Sequence, residues 1–395
     1  MRQKFQHLDY KILVPYLLLV VFGIIMVYSA SSDILLVNGF KPATYGIKQA
    51  IYAVFAVFLF AAVTFLLRLE IFKNTKFVAY FLGISMMLLL YLIILKIFKG
   101  SDAAVNGAVG WIDLKVIKIQ PLEIAKLALV LYLAYYLDRH DGSFNQGYII
   151  QNLSRPAILA GVMMFLVVLE PDLGGTAILA MIVIVMFSVS GVPAKKAVLC
   201  LLAIAIGVFF LVFLIIKWNP KFLQDSYQYR RLMSFMHPFE LEQKGGAQLV
   251  NSYYAIHNGG LFGVGLGNSM QKRGYLPEPY TDFILAVAAE EIGVIGALAV
   301  LALLFYLMWS IMDVGIHAES QFDALVCFGV TTIIFTETLF NVGAVLGLLP
   351  ITGVTLPFIS YGGSSLIVLS TSIGLVLNIA ANERIRKEEE AINEH

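Results

Sequence analysis

Charge is scarce in this sequence. Of 395 residues only 13% are Asp, Glu, Lys or Arg, where an ordinary soluble domain has about a quarter. The few charges also cancel: 27 Lys and Arg against 26 Asp and Glu leave a formal net charge of +1. No basic footprint for a nucleic-acid partner exists. The two cysteines, Cys200 and Cys327, each sit inside an apolar run, so they build neither a disulfide framework nor a metal site. His140, His237, His257 and His317 are scattered, without His-x-x-x-His or Asp-x-Asp spacing. Low-complexity tracts and internal repeats are absent too. What is abundant is apolar surface: 59% of the residues are hydrophobic and the mean hydropathy is +0.84. A water-soluble globule cannot bury that much, so the chain is read as an integral membrane protein.

A spanning helix needs about 20 mostly apolar residues. Ten runs approach this: Ile12–Ala30, Ile47–Leu67, Phe77–Phe98, Leu122–Leu137, Ala157–Glu170, Gly175–Gly191, Lys196–Ile216, Phe283–Trp309, Phe322–Leu346 and Ser364–Ala380. They lack period-2 alternation and are too long for barrel strands. The expectation is an all-α polytopic membrane protein of about ten helices, a single domain over residues 1–395. Arg2 and Lys4 before the first run and Ser29-Ala30-Ser31 after it suggest a leader, but the apolar core is longer than an h-region and is read as a retained span.

Basic residues in short connections set orientation. With the N-terminus inside, the inner side holds Arg2, Lys4, Lys11, Arg68, Lys73, Lys76, Arg139, Arg155, Lys195, Lys196, Arg384, Arg386 and Lys387. The outer side holds only Lys41, Lys48, Lys96, Lys99, Lys115 and Lys118. Both termini are therefore expected in the cytoplasm, the tail 381–395 as a solvated end. The connection 217–282 is long, polar and, by helix parity, extracytoplasmic. Its aromatics (Trp218, Phe222, Tyr227, Tyr229, Phe235, Tyr253 and Tyr254) argue for short amphipathic pieces lying on the membrane rather than disorder.

Ionisable groups at membrane depth are expensive and point to function by default. Gln120-Pro121-Leu122-Glu123-Ile124-Ala125-Lys126 opens the fourth run; Glu123 and Lys126 lie three apart and share a face. They either stabilise the bundle as an ion pair or line a polar cavity where Lys126 meets a phosphate. In Glu170-Pro171-Asp172-Leu173-Gly174-Gly175-Thr176, a sharp hairpin, Asp172 reads first as a helix cap. In Leu276-Pro277-Glu278-Pro279-Tyr280-Thr281-Asp282-Phe283, Asp282 stands where the chain re-enters the membrane, as a cap or as a general base with a pKa raised by partial burial. Glu290 and Glu291 follow on the same helix, and spacing does not decide which faces a cavity.

The glycine series Gly259 to Ser269 lacks the Gly-Lys-Ser/Thr ending of a P-loop and follows no expected strand, which argues against an ATP site of that kind. It is either conformational or brings backbone N–H groups close to a phosphate or sugar. The segment Leu349 to Ser365, broken by Pro350, Pro357, Gly353 and Gly362, is tolerated in a membrane only where it is buried or lines a cavity.

These motifs, QPLEIAK, PDLGGT, YQYRRLMSF, GGLFGVGLGNSMQKRGYLPEPYTDFI, EEIG and LPITGVTLPFISYGGSS, resemble those of the SEDS family (shape, elongation, division and sporulation), which includes FtsW, RodA and SpoVE. The likeness runs over nearly the whole chain, and GLGNSMQKRGYLPE is closer to the division branch than to the elongation branch. One departure is Glu170, where relatives commonly carry Gln. The resemblance implies a peptidoglycan glycosyltransferase that polymerises lipid II on the outer face of the cytoplasmic membrane, at the division septum. Asp282 is the implied catalytic base, and Glu123, Lys126, Arg230, Arg231, Gln248, Lys272 and Ser364 the implied substrate-binding set. The implied donor is undecaprenyl-pyrophosphate-linked glycan, displaced with inversion. A class B penicillin-binding protein (a transpeptidase) and other divisome membrane proteins are the implied partners. No cofactor is assigned, with a divalent cation, Mg2+ or Mn2+, left open as a further source of positive charge. Alternatives are a lipid II flippase, a RodA-type polymerase of cell elongation, or a scaffold; the last leaves the buried carboxylates unexplained.

Overall fold

A computed structural model describes residues 2–99, 110–113, 118–140, 149–190, 227–241 and 245–393. The run Lys196–Ile216 lies outside them. The helices are α1 (Arg2–Gln6), α2 (Tyr10–Val37), α3 (Thr44–Val54), a π-helical turn (Phe55–Ala61), α4 (Ala62–Leu66), α5 (Leu69–Phe72), α6 (Thr75–Lys99), α7 (Pro121–Arg139), α8 (Ile149–Leu169) and α9 (Leu173–Val189). They continue with α10 (Tyr227–Met236), α11 (Ala247–Gly259), α12 (Ile284–Ile316), α13 (Gln321–Val345) and α14 (Gly363–Asn393). A two-residue antiparallel ribbon pairs Ile112 with Ile119 and Asp113 with Lys118 just before α7.

Among the described residues, six helical stretches are long and apolar enough to cross a membrane: Tyr10–Val37, Thr44–Leu66, Thr75–Phe98, Ile284–Ile316, Gln321–Val345 and Gly363–Asn393. Helices α7, α8 and α9 coincide with the fourth, fifth and sixth apolar runs. The protein is an all-α polytopic membrane protein. Helices α13 and α14 sit at its centre and are buried over most of their length. Buried hydroxyls on α13 are satisfied within the helix: Thr331, Thr332, Thr336 and Thr338 each donate to the carbonyl four residues back. The last helix continues beyond its apolar run to Asn393 because Arg386 pairs with Glu383 (2.8 Å) and Glu390 (3.3 Å) on the same face.

The glycine series has a conformational role that hydropathy did not reveal. Helix α12 is interrupted at Gly293 (φ 76°, ψ 172°), and the loop after α11 inserts into the gap. Val264 N and Gly265 N donate to the carbonyls of Glu290 and Glu291 (both 2.9 Å), while Val294 N and Ile295 N donate to those of Gly260 and Leu261 (2.9 and 3.2 Å). The loop thus supplies the backbone bonds that the broken helix lost, as membrane depth requires. A Cβ on Gly293 would lie 2.3 Å from the Leu261 oxygen, so only glycine fits there.

The two termini share one end of the bundle: Arg384 pairs with Asp9, and His7 Nε2 lies 3.3 Å from Glu388. The motifs singled out in the sequence gather at the other end.

Candidate active site

Pro277 and Pro279 cannot continue a helix, so the chain reaches α12 through turns and Asp282 falls two residues before the helix begins. Three side-chain and backbone ties hold this approach. Asn341, near the end of α13, donates to the Asp282 carbonyl (2.8 Å) and to the Val354 carbonyl (2.9 Å). Ser360 Oγ donates to the Thr281 carbonyl (2.6 Å) and accepts from Leu356 N (2.8 Å). Tyr361 N donates to the Tyr280 carbonyl (2.9 Å). Tyr45, Tyr280 and Tyr361 pack beside this seam, with ring centroids 4.9–5.9 Å apart. Two motifs some way apart in the chain therefore form one rigid lip.

Asp282 keeps part of its surface open but is closely surrounded. Lost hydration pushes its carboxyl up to about 7; the Arg231 guanidinium opposes the shift and Glu278 adds to it. Arg231, from α10, is anchored by Nη1 donating to the Ile351 carbonyl (3.0 Å). Both side chains lie beside Gly353, whose φ is +77°.

Behind this lip lies a buried ion cluster. Pro121 occupies the first turn of α7 and fixes its start. Lys126 Nζ is 2.8 Å from Glu123 Oε2 and also pairs with Glu337 Oε1 of α13. Lys126 is 2% exposed, so its charge is already met by two carboxylates. Glu337 Oε2 has no hydrogen-bond partner. Asp172 accepts from Gly175 N (2.7 Å), which bears out its capping role. Burial raises its pKa, and the charges of Lys126, Glu123 and Arg231 all reach it. The hairpin therefore belongs to the same neighbourhood.

This end of the bundle offers a carboxylate that can take a proton near neutral pH, with a guanidinium beside it. Among the described residues no group of three or more His, Cys, Asp or Glu side chains is arranged to hold a metal ion.

The family model for cell cycle proteins of the FtsW/RodA/SpoVE type matches residues 10–385. The chain belongs to this family. It is 38% identical to the probable peptidoglycan glycosyltransferase FtsW of Lactococcus lactis, over 98% of this chain and 96% of that one. Identity to the protein of the same name from Enterococcus hirae is 39%, over 96% and 94%. Among solved structures, a chain from a peptidoglycan synthase complex, studied for its coordination of polymerization and crosslinking, superposes with a TM-score of 0.75 at 27% identity, covering 95% and 98%. The rod shape determining protein RodA of Thermus thermophilus gives 0.66 at 25%, covering 95% and 97%.

Within this FtsW/RodA/SpoVE chain the remaining site candidates are dispersed. Lys272 is 1% exposed; its Nζ pairs with Glu291 (2.9 Å) and Ser29 (3.1 Å), pinning the glycine loop to α2 and α12. Glu290 accepts from Ser269 Oγ, Met270 N (3.1 Å), Gln271 N (3.2 Å) and Asn258 Nδ2 (3.4 Å). Both glutamates are buried and face the spliced loop. Ser364 accepts from Gln120 N (3.1 Å) and donates to the Lys118 carbonyl (2.8 Å), joining α14 to the start of α7. Gln248 is half-buried in the first turn of α11. Arg230 lies on α10, and its side chain lies outside the described residues. Glu170 is 2% exposed, and burial, with Asp172 adding, raises its carboxyl to about 9 against the pull of Lys96.

Sequence reasoning missed Glu337, Asn341 and Ser360. Glu337 had a readable signal, an acid in the middle of the apolar run Phe322–Leu346. Asn341 and Ser360 had none, because their roles are ties to distant backbone.

Proposed function

We propose that this protein is a peptidoglycan glycosyltransferase that polymerises lipid II at the outer face of the cytoplasmic membrane during cell division, with Asp282 as general base. The observation carrying the assignment is the placement of the Asp282 carboxyl at the lip, beside the Arg231 guanidinium at Gly353, where lost hydration raises its pKa. The names of the relatives support the same activity.

The acceptor is the sugar hydroxyl of lipid II. As its oxygen attacks the anomeric carbon of the lipid-linked glycan, Asp282 takes the hydroxyl proton. A new glycosidic C–O bond forms, the C–O bond to undecaprenyl pyrophosphate breaks, and attack from the opposite face inverts the centre. General-base help of this kind contributes about 10²–10⁴-fold. The departing pyrophosphate gains negative charge, which Arg231 is placed to offset, with Arg230 on the same helix. Lys126, already paired twice, shapes the floor rather than lending free charge. The polymer then passes to a class B penicillin-binding protein for cross-linking; the likeness to a chain from a synthase complex that coordinates polymerization with crosslinking supports such a partner.

The test is purified protein in detergent with labelled lipid II and its transpeptidase partner. Glycan strands form with the unaltered protein, and Asp282→Asn loses at least a hundredfold in rate. An Asp282→Asn protein that polymerises at the original rate removes the base assignment.

A further inference from the structure

At the end of the bundle opposite Asp282 lies an open cavity of about 560 Å³, lined by Lys4, Arg68, Glu70, Asn74 and Asn382 with Leu69 and Ile71. No residue of the candidate active site contributes to it. Its floor is built rather than incidental. Lys4 Nζ donates to the Leu67 carbonyl (3.0 Å), which Asn378 Nδ2 also reaches (2.8 Å), to Asn378 Oδ1 (2.7 Å) on α14 and to the Phe65 carbonyl (3.4 Å). Asn382 Nδ2 donates to the Asn378 carbonyl and side-chain oxygen (both 2.7 Å). The N-terminal segment, the turn between two membrane-crossing stretches and the last helix thus converge on one pocket.

Its lining carries two cations against one carboxylate, with amide side chains between them. Beside it, Phe5, Val63, Leu67 and Ile71 are exposed apolar side chains at the level where Thr44–Leu66 ends and Thr75–Phe98 begins. A cationic pocket with a greasy rim at a helix end matches an amphiphile, whose charged head enters the pocket while its chains run along the adjoining spans. A soluble anion would gain nothing from the rim.

We propose that this cavity binds the phosphate of a net-anionic phospholipid head group, with Arg68 as its direct cationic contact and the Lys4 ammonium, held in the floor, adding positive charge. The site is independent of the polymerase reading and is tested without measuring polymerisation. Full-length protein in detergent is titrated with dioleoylphosphatidylglycerol, and retained lipid is counted by native mass spectrometry, with dioleoylphosphatidylcholine as the zwitterionic comparison. The unaltered protein retains phosphatidylglycerol in preference to phosphatidylcholine. Arg68→Gln, an exposed change, weakens that retention about fivefold, and Lys4→Gln/Arg68→Gln about thirtyfold. Lys41→Gln, near the other end, leaves it unchanged. Equal retention of the two lipids, or an Arg68→Gln protein that holds phosphatidylglycerol as before, overturns the proposal. Displacement of the lipid by excess inorganic phosphate overturns the lipid as occupant and makes the site one for a soluble phosphate.

Discussion

The Asp282 carboxylate and the Arg231 guanidinium meet over Gly353: a Cβ on that glycine would stand 3.5 Å from Asp282 Oδ2 and 3.5 Å from Arg231 Nη1. One group precedes α12 and the other lies on α10, and Arg231 Nη1 also donates to the Ile351 carbonyl (3.0 Å) of the broken segment. Gly353 also holds φ +77°, where an L side chain is strained. Gly353→Ala is expected to insert into the protein's usual membrane yet polymerise at least tenfold more slowly, since left-handed strain of about 1–3 kcal/mol must be relieved by moving this strand. Unchanged polymerisation would show that the separation between carboxylate and guanidinium is not critical.

The raised Asp282 carboxyl fixes a pH dependence. The base works only when ionised, so the rate of polymerisation rises with pH through a limb near about 7. Arg231 favours the ionised form, so Arg231→Gln moves the limb to higher pH; Glu278 disfavours it, so Glu278→Gln moves it lower. Stability runs the other way. With the folded value above the ordinary 3.8, the neutral form stabilises the fold below about pH 4, and that gain is lost as pH rises through about 7. Asp282→Asn, neutral throughout, should therefore melt higher than the unaltered protein at pH 8 while being inactive. A lower melting temperature at pH 8 would contradict the burial cost assigned to this carboxylate.

Much of this arrangement was legible along the chain because it follows from local rules. The i, i+3 spacing of Glu123 and Lys126 foretold their ion pair, Asp172 before Leu173-Gly174-Gly175 foretold its cap, and the two prolines ahead of Asp282 foretold a non-helical approach to the membrane. What local rules could not supply is which distant group meets which. Lys272 reads as a substrate contact by likeness, but the splice of the glycine loop into the break at Gly293 delivers it to Glu291. Ser364 likewise looks available in a glycine-flanked motif, and its hydroxyl is consumed by backbone at the start of α7. Hydropathy scored the glycine series as a loop because backbone bonds between a loop and an interrupted helix leave no periodic trace.

That splice makes Glu290 a positioning group for the loop. Its carboxylate receives the backbone N–H groups of Met270 and Gln271 as well as the Ser269 hydroxyl. Glu290→Ala leaves those donors without that acceptor, at about 1–3 kcal/mol for the buried Ser269 hydroxyl and less for the partly buried amides. Hydrogen exchange at Met270 and Gln271 should accelerate by about tenfold or more, with exchange in α13 and α14 unchanged. If these two amides exchange as before, the loop is held by the Gly293 backbone bonds alone.

The cluster of Lys126, Glu123 and Glu337 gives the sharpest separation between folding and chemistry. All three side chains are buried, and one ammonium serves two carboxylates. Removing the ammonium leaves like charges facing each other without compensation, so Lys126→Met should cost about 3–5 kcal/mol and lower the amount of folded protein. Replacing the acids as well, in Glu123→Gln/Lys126→Met/Glu337→Gln, removes the uncompensated charge and should restore most of that stability. If the cluster only staples α7 to α13, the triple variant also recovers polymerisation. If, as proposed, its charges shape the floor beneath Asp282 and Arg231, the triple variant melts like the unaltered protein but polymerises at least tenfold more slowly. Thermal unfolding and lipid II polymerisation measured on the same preparation distinguish the two, and recovery of both together would reduce the cluster to a purely structural one.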